Sequence, residues 1–454
     1  MKTNIKRLMS IMLAMSLILP TVFNGHQSVV YAEDDIKKEI NQENTVETTD
    51  NDLLNTNQDI VSSESKKKEK NTKVTNANPP SDNNIVYVAQ TNSGNATGDS
   101  AENAISFIDA MSNAKDGDTF IVVNEINLPE NWKTPSCNIT ITGNDKETSI
   151  LKMAQGSTSN GKNPSMTLSG NLTLDNLMLD VVENSSPYLS SMFVIVANGH
   201  KLLIESGVYT KEDTSKYSGK IFGGGFFSDI TGNTYIENKG SLLVTDIYGG
   251  GCAGNVTGDT NVIVTGLGRK IYGGGLTIYK SSNTANVIGN VNININNAQL
   301  TSRPIIYGGG DASEADAIVT GNVQIYHGSV KDGGKNIYGA GYAYKGNAYV
   351  GGNVDITVSN YDMSNNNSTI YGGGYGDKEE TSAGVKGNVN ITYEKGNFGT
   401  IYGAGEEYAD VYGKTNITLK NNTGTPVVYG GGQGNKTYQV KSHKEVEINL
   451  LNSC

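Results

Sequence analysis

Apolar and polar residues alternate strictly over short stretches in the C-terminal half of this 454-residue chain. Gly289-Asn290-Val291-Asn292-Ile293-Asn294-Ile295, Gly352-Asn353-Val354-Asp355-Ile356-Thr357-Val358 and Gly387-Asn388-Val389-Asn390-Ile391-Thr392-Tyr393 share the pattern. A period of two predicts a β-strand with one buried face. Between such strands lies a second short element, Ile-Tyr-Gly-Gly-Gly. It begins as Ile221-Phe222-Gly223-Gly224-Gly225 and returns from Ile247, Ile271, Ile306, Ile337, Ile370, Ile401 and Val428, at spacings of 26, 24, 35, 31, 33, 31 and 27 residues. Two strands per interval leave no room for a crossover helix, so each turn of chain must pair in parallel with its predecessor. Fixed motifs at variable spacing predict a solenoid whose strands stack while its loops vary. The fold class expected is therefore all-β, a right-handed parallel β-helix.

Stacking also aligns other positions. A polar residue follows the glycine of the alternating strand as Asn233, Asp259, Asn290, Asn322, Asn353 and Asn388. Superposed coils place these residues over one another, where amides can hydrogen-bond from rung to rung. Lys414 and Glu445 break the series, so the ladder is expected to stop near them. In the triple glycine, Ala340 and Ala404 replace the middle member. The outer two are then the positions that need φ > 0 or a close approach of backbones. No Lys-Ser/Thr follows any copy, which argues against a phosphate-cradling loop.

Upstream, Ile85-Val86-Tyr87-Val88 reads as a first strand and Ala101 to Ala114 as a short amphipathic helix capping the open end of the core. Lys115-Asp116-Gly117-Asp118-Thr119 reads as the turn into Phe120-Ile121-Val122-Val123. Asn138-Ile139-Thr140-Ile141-Thr142-Gly143, Leu172-Thr173-Leu174 and Lys201-Leu202-Leu203-Ile204 supply further rungs. This order of strand, short helix, Ala-Lys-Asp-Gly-Asp-Thr, strand and Asn-Ile-Thr-Ile-Thr-Gly resembles the opening of exported pectate-lyase-fold proteins. The Tyr-Gly-Gly-Gly coils resemble adhesin-like β-helix surface proteins of low-GC Gram-positive bacteria. The resemblance spans residues 84–450 as architecture, and that fold hosts lyases, hydrolases and non-enzymatic adhesins alike.

The N-terminus sets the expected compartment. Lys2, Lys6 and Arg7 precede an apolar stretch from Leu8 to Phe23, and Val30-Tyr31-Ala32 offers small side chains for cleavage. Residues 1–32 are read as a signal peptide, too short to span a bilayer. Residues 33–82 are read as a disordered polar linker, 83–220 as the cap and first coils, and 221–454 as the eight-repeat β-helix, open at its C-terminus, where the expectation is either truncation or end-to-end pairing. The expected location is secreted or cell-surface, with no membrane insertion after cleavage. An uncapped parallel edge after Val446, Ile448 and Leu450 makes end-to-end self-association conceivable. The formal charge of -11 becomes -14 once the three leader cations are removed, and arginine occurs only at 7, 269 and 303. Such a surface repels nucleic acid. Cys137, Cys252 and Cys454 imply no disulfide framework and no zinc spacing.

Candidate chemistry is sparse. As the resemblance implies, a pectate-lyase-like enzyme needs calcium-binding aspartates beside a basic residue, and neither Arg269 nor Arg303 has such acids nearby in sequence. His200, His327 and His443 are remote from one another. The chain is read as non-catalytic, with a polysaccharide lyase or glycoside hydrolase as the alternative. Three acidic loops offer oxygen ligands for calcium, the one cofactor considered: Asp311, Glu314 and Asp316; Asp377, Glu379 and Glu380; Glu406, Glu407 and Asp410. The leading candidate is the aromatic after the isoleucine: Phe222, Tyr248, Tyr272, Tyr307, Tyr338, Tyr371, Tyr402 and Tyr429. If each isoleucine points inward, alternation turns these rings outward as a row roughly 34 Å long. Tyrosine faces suit carbohydrate or a host surface protein. Ring-on-ring stabilisation of the solenoid is the competing reading.

Overall fold

The structure, a computed structural model, describes residues 84–158, 163–183, 191–211, 216–296, 304–328, 330–331, 336–359, 361–362, 368–397, 399–421 and 426–451, with backbone alone at 330–331, 361–362 and 396–397. The expected leader and linker, together with Arg303 and Cys454, lie outside the described residues.

The described chain is a right-handed parallel β-helix. The alternating strands form one 14-stranded sheet that ends in Thr415–Lys420 and Val446–Leu451, and the Ile-Tyr strands belong to an 11-stranded sheet ending in Val427–Tyr429. Every strand pairing is parallel. Register follows the sequence motif rung by rung. Ile247 pairs with Ile271, Ile271 with Ile306, Ile306 with Ile337 and Ile337 with Ile370, and the aromatic pairs with the aromatic each time. Because side chains alternate across a strand, a one-residue slip would exchange the two faces, so the buried isoleucine column itself holds the register. Ile247, Ile271, Ile306 and Ile370 are fully buried. Each contributes about 1.5–3 kcal/mol of transfer free energy.

Inside the coil the isoleucines meet the apolar positions of the 14-stranded sheet in one cluster that runs from Val88 to Val440. One inward column reads Val264, Ile295, His327, Val358 and Tyr393, so His327 occupies a core position. Its burial pushes the imidazole pKa down to about 4.

The ladder after the glycine is present; its recurring donor is a backbone N–H, joined at one rung by the expected side-chain amide, Asn290 Nδ2 to Asp259 Oδ1 at 3.1 Å. Asn233 Oδ1 accepts from the backbone N–H of Asp259, Asp259 from Asn290, Asn290 from Asn322, Asn322 from Asn353 and Asn353 from Asn388, at 2.7–2.9 Å. The essential group is thus a side-chain oxygen two bonds from Cβ, which explains why aspartate serves at 259. Asn388 passes its bond to Lys414 N–H at 2.8 Å, and there the series ends because lysine has no acceptor.

The outer glycines answer to close approach rather than to positive φ. A Cβ on Gly308 would stand 2.1 Å from the Gly339 carbonyl oxygen, and one on Gly341 2.3 Å from that of Gly310. At the middle position Gly309 the nearest atom is the Gly341 nitrogen at 2.6 Å, and at Gly373 the nearest atoms stand at 2.9 Å. Ala340 and Ala404 show that small shifts accommodate a methyl there.

The N-terminal cap is shorter than the sequence suggests. A 3-10 turn spans Ala101–Asn103, Ile105–Ser106 forms a strand, and the α-helix is confined to Phe107–Ser112. Pairing of Ile105 with Val88 extends the 14-stranded sheet and removes that residue from the helix. The helix buries Phe107, Ala110 and Met111, with the Phe107 and Trp132 rings 5.3 Å apart.

Candidate functional site

Alternation does turn the aromatic away from the isoleucine core, but solvent does not meet it there. Phe222, Tyr248 and Tyr272 are at most 1 % exposed, and Tyr307, Tyr338 and Tyr371 at most 7 %. The expectation of an open row of rings is corrected: the outer face of the Ile-Tyr sheet is itself covered. Successive rings stack with centroids 4.7–5.2 Å apart from Phe222 to Tyr429, all nearly parallel. Only toward the last coils does the column open, with Tyr402 partly buried and Tyr429 49 % exposed.

The cover is the segment after the third glycine. In the last four coils the chain leaves the solenoid wall and returns, closing with a bond from Gly341 N–H to the Ala348 carbonyl, Gly374 to Ala383, Gly405 to Ala409 and Gly432 to Val440. These excursions stack into a fin. Its root is a column of small side chains, Ala312, Ala317, Ala343, Ala348, Ala383 and Ala409, all fully buried. Short strands Asp311–Ala312, Tyr342–Ala343, Tyr375–Gly376 and Glu406–Glu407 run up the fin in parallel. Tyr342 and Tyr375 lie edge-on to Tyr307 and Tyr338 at 6.3 and 6.5 Å, sealing the aromatic column.

The phenolic ends find polar partners beneath this cover. Tyr338 donates to Glu406 Oε2 at 2.5 Å and Tyr371 to Gln433 Oε1 at 2.7 Å. Burial raises the hydroxyl pKa of Tyr248, Tyr272, Tyr307, Tyr338 and Tyr371 well above that of free tyrosine. Near Tyr248, Arg269 grips the buried Asp246 carboxylate through Nε and Nη2 at 2.8 and 2.7 Å, with Lys220 Nζ 3.5 Å from the same group. Arg269 therefore has its acid one coil away, where sequence proximity could not show it.

The acidic loops lie on the fin but do different things. Asp311 is nearly buried, takes a hydrogen bond from Ser313 Oγ at 2.5 Å, and is raised in pKa by desolvation. Glu314 pairs with Lys345 at 2.7 Å, and Asp316 accepts from the Asn347 backbone and side-chain amides. Asp377 receives the Tyr375 hydroxyl at 3.4 Å, while Glu379 and Glu380 are exposed. Glu406 faces the tyrosines, and Glu407 beside it is partly buried. Asp410 gathers Tyr438, Lys441 N–H and His443 Nε2 at 2.7–2.9 Å. His443 thus has a carboxylate partner and stacks on Tyr412 at 4.8 Å. Among the described residues, no three His, Cys, Asp or Glu side chains are grouped to hold a metal ion.

Fin length sets the surface relief. The segments after Gly225 and Gly251 are short, and Gly254 stands against Ser228 of the coil below. The next excursion, after Gly275, is long and returns only at Ala285. Where it overhangs its short neighbours there is a hollow of about 430 Å3 lined by Phe227, Asp229, Ala253, Asn255, Ser282, Asn283 and Thr284. Phe227 is 39 % exposed, has φ +53° and packs edge-on to Phe226 at 5.2 Å. Asp229 Oδ1 accepts from Asn255 N–H, and Asn255 Oδ1 accepts from both Asn286 N–H and Thr284 Oγ1, at 2.7–2.8 Å. None of these residues was singled out from the sequence. The available signal was the pair of short intervals, 26 and 24 residues, followed by one of 35.

On the comparison side, no protein family, no curated protein and no solved structure matches this chain.

Proposed function

We propose that the chain is an exported, non-catalytic β-helix that acts as a cell-surface or secreted binding scaffold, with carbohydrate or a host surface protein as its ligand. The observation that carries this reading is the division of labour within the coil. The residues that recur from repeat to repeat are largely consumed by packing: isoleucine in the core, tyrosine under the fin up to Tyr371, glycine at the backbone contacts, asparagine in the ladder up to Asn388. What varies is the excursion after the third glycine, from three residues between Gly405 and Ala409 to eight between Gly374 and Ala383 and nine between Gly275 and Ala285. A rigid scaffold that varies only in surface loops is the arrangement by which folds carry recognition.

The exposed tip of the fin supports the same reading. Tyr279 is 54 % exposed, and Lys345 lies 5.7 Å from its ring centroid and 5.8 Å from that of Tyr344, over which Lys378 sits at 4.2 Å. Aromatic surface held by cations is a rigid contact element for polar partners.

The secreted chain, applied to a glycan array and to immobilised host matrix proteins, is expected to bind at least one of them and to leave polysaccharides uncleaved. Release of reducing ends or unsaturated uronides from a polysaccharide panel would overturn the non-catalytic reading, and absence of binding on both surfaces would overturn the scaffold reading.

A further inference from the structure

We propose that the hollow beneath the overhanging excursion is a binding site for a single pyranose unit of an uncharged glycan, with Phe227 as its stacking platform. This rests on the scaffold reading and deepens it by naming the place and the ligand.

The first argument is the cost of Phe227 where it stands. A bulky residue at φ +53° is a genuine outlier in the left-handed region. Strain of this kind is on the order of 1–3 kcal/mol and persists where the surroundings enforce it. Burial does not repay it, because the ring is 39 % exposed. The same backbone conformation recurs one coil on at Ala253, φ +49°, where the side chain is only a methyl. The backbone therefore does not require an aromatic, and an exposed ring at the mouth of a hollow is left as the feature to explain.

The second argument is the chemistry of the walls. Asn255 Oδ1 already accepts two hydrogen bonds, which assigns the amide orientation and leaves Nδ2 as a donor with no partner among the described residues. Asp229 has one oxygen engaged by the Asn255 backbone, and no hydrogen bond to its other oxygen occurs among the described residues. Ser282 adds an exposed hydroxyl to the rim. A donor amide beside an acceptor carboxylate suits a hydroxyl that gives one bond and takes another, as on adjacent carbons of a pyranose. The apolar face of the same ring stacks on an aromatic platform.

Charge and size narrow the class. The Asp229 carboxylate disfavours a uronate or sulfated sugar, and no cation lines the hollow. A volume of about 430 Å3 falls within the range of small-molecule sites.

The test uses the secreted chain and a panel of defined probes: maltose, lactose, cellobiose and N,N′-diacetylchitobiose, with digalacturonate as the charged counterpart, each titrated by calorimetry or ligand-detected NMR. At least one neutral disaccharide is expected to bind, with digalacturonate at least tenfold weaker. Phe227→Asn should weaken that binding at least tenfold without lowering the thermal midpoint, because asparagine tolerates the left-handed backbone better than phenylalanine. Ser282→Tyr, which plugs the hollow from an exposed position, should do the same. Neutral-sugar binding that both variants leave intact would overturn this site while the scaffold reading stands. A preference for digalacturonate, or no response to any disaccharide by a chain that still binds matrix proteins, would do likewise. No binding to sugars, array or matrix would overturn both.

Discussion

The Tyr338 hydroxyl hydrogen-bonds Glu406 Oε2 across two coils of the solenoid, because Glu406 follows Tyr402, which stacks on Tyr371, which stacks on Tyr338. The fin and the tyrosine column are therefore tied diagonally as well as rung by rung. Asn336 Nδ2 also donates to that hydroxyl at 3.1 Å. Tyr338→Phe removes one of the two tyrosine hydroxyls that hydrogen-bond the half-buried Glu406, so it should destabilise by about 1–2 kcal/mol. Tyr338→Ala also opens a cavity in the stack and should lose about 3–5 kcal/mol. Equilibrium urea unfolding checks both, and equal effects would contradict a stacking role for the ring.

The two kinds of glycine should respond differently to the same methyl. Gly308→Ala drives a Cβ against the Gly339 carbonyl and is expected to destabilise by about 1–3 kcal/mol. Gly309→Ala reproduces what Ala340 and Ala404 already do in their coils and should change stability by less than about 1 kcal/mol. Thermal unfolding of the pair is sufficient, and a reversed order would refute the close-approach account.

The Asn ladder depends on an oxygen acceptor rather than on an amide. Asn322→Ala removes the acceptor for Asn353 N–H and should lower stability by about 0.5–1.5 kcal/mol. Asn322→Asp should fall well short of that loss, as Asp259 does the same work naturally. If the aspartate variant were as damaged as the alanine variant, the side-chain N–H would have to matter.

His327 gives the fold an acid limit. In the unfolded chain an ordinary imidazole takes up its proton near pH 6.5. In the folded chain, burial holds that step down to about pH 4. Below pH 6.5 the unfolded state therefore binds a proton that the native state refuses, and the stability present above that pH is lost as pH falls toward 4. At 1.36 kcal/mol per unit the loss amounts to about 3 kcal/mol. His327→Leu, an aliphatic residue like Val264, Ile295 and Val358 in the same inward column, should abolish this part of the pH dependence. Urea midpoints at pH 7 and pH 4.5 for both chains measure it, and parallel acid sensitivity would exclude His327 as the source.

Much of this architecture is legible in residue order because parallel stacking turns sequence repeats into columns. Ile271, Tyr272 and Asn290 each superpose on their counterparts, so period and spacing alone place them. The covering of Tyr272 and Tyr307 was not legible, since alternation says which face a ring takes and nothing about what lies over that face. A hint existed in Ala312 and Ala317, then Ala343 and Ala348, paired small residues at equal spacing in loops otherwise rich in charge. The hollow at Phe227 is harder still. It arises from a difference between neighbouring coils, and no single coil contains it. The helix expected over Ala101 to Ala114 was shortened for a related reason: the Ile105 backbone satisfies its bonds in the sheet beside Val88, which helix propensity cannot anticipate.

The central claim is that the repeated tyrosine belongs to the interior and that the fin above it is what the protein presents to its surroundings. Spectrophotometric titration of tyrosine ionisation, run alongside far-UV circular dichroism, tests this most directly. Burial raises the hydroxyls of Tyr248, Tyr272, Tyr307, Tyr338 and Tyr371, so these five should remain protonated through pH 11 while the β signal persists, and should ionise together only when the fold is lost. Ionisation of these five tyrosines near pH 10 in a chain that keeps its β signal would place the column in solvent and contradict the account.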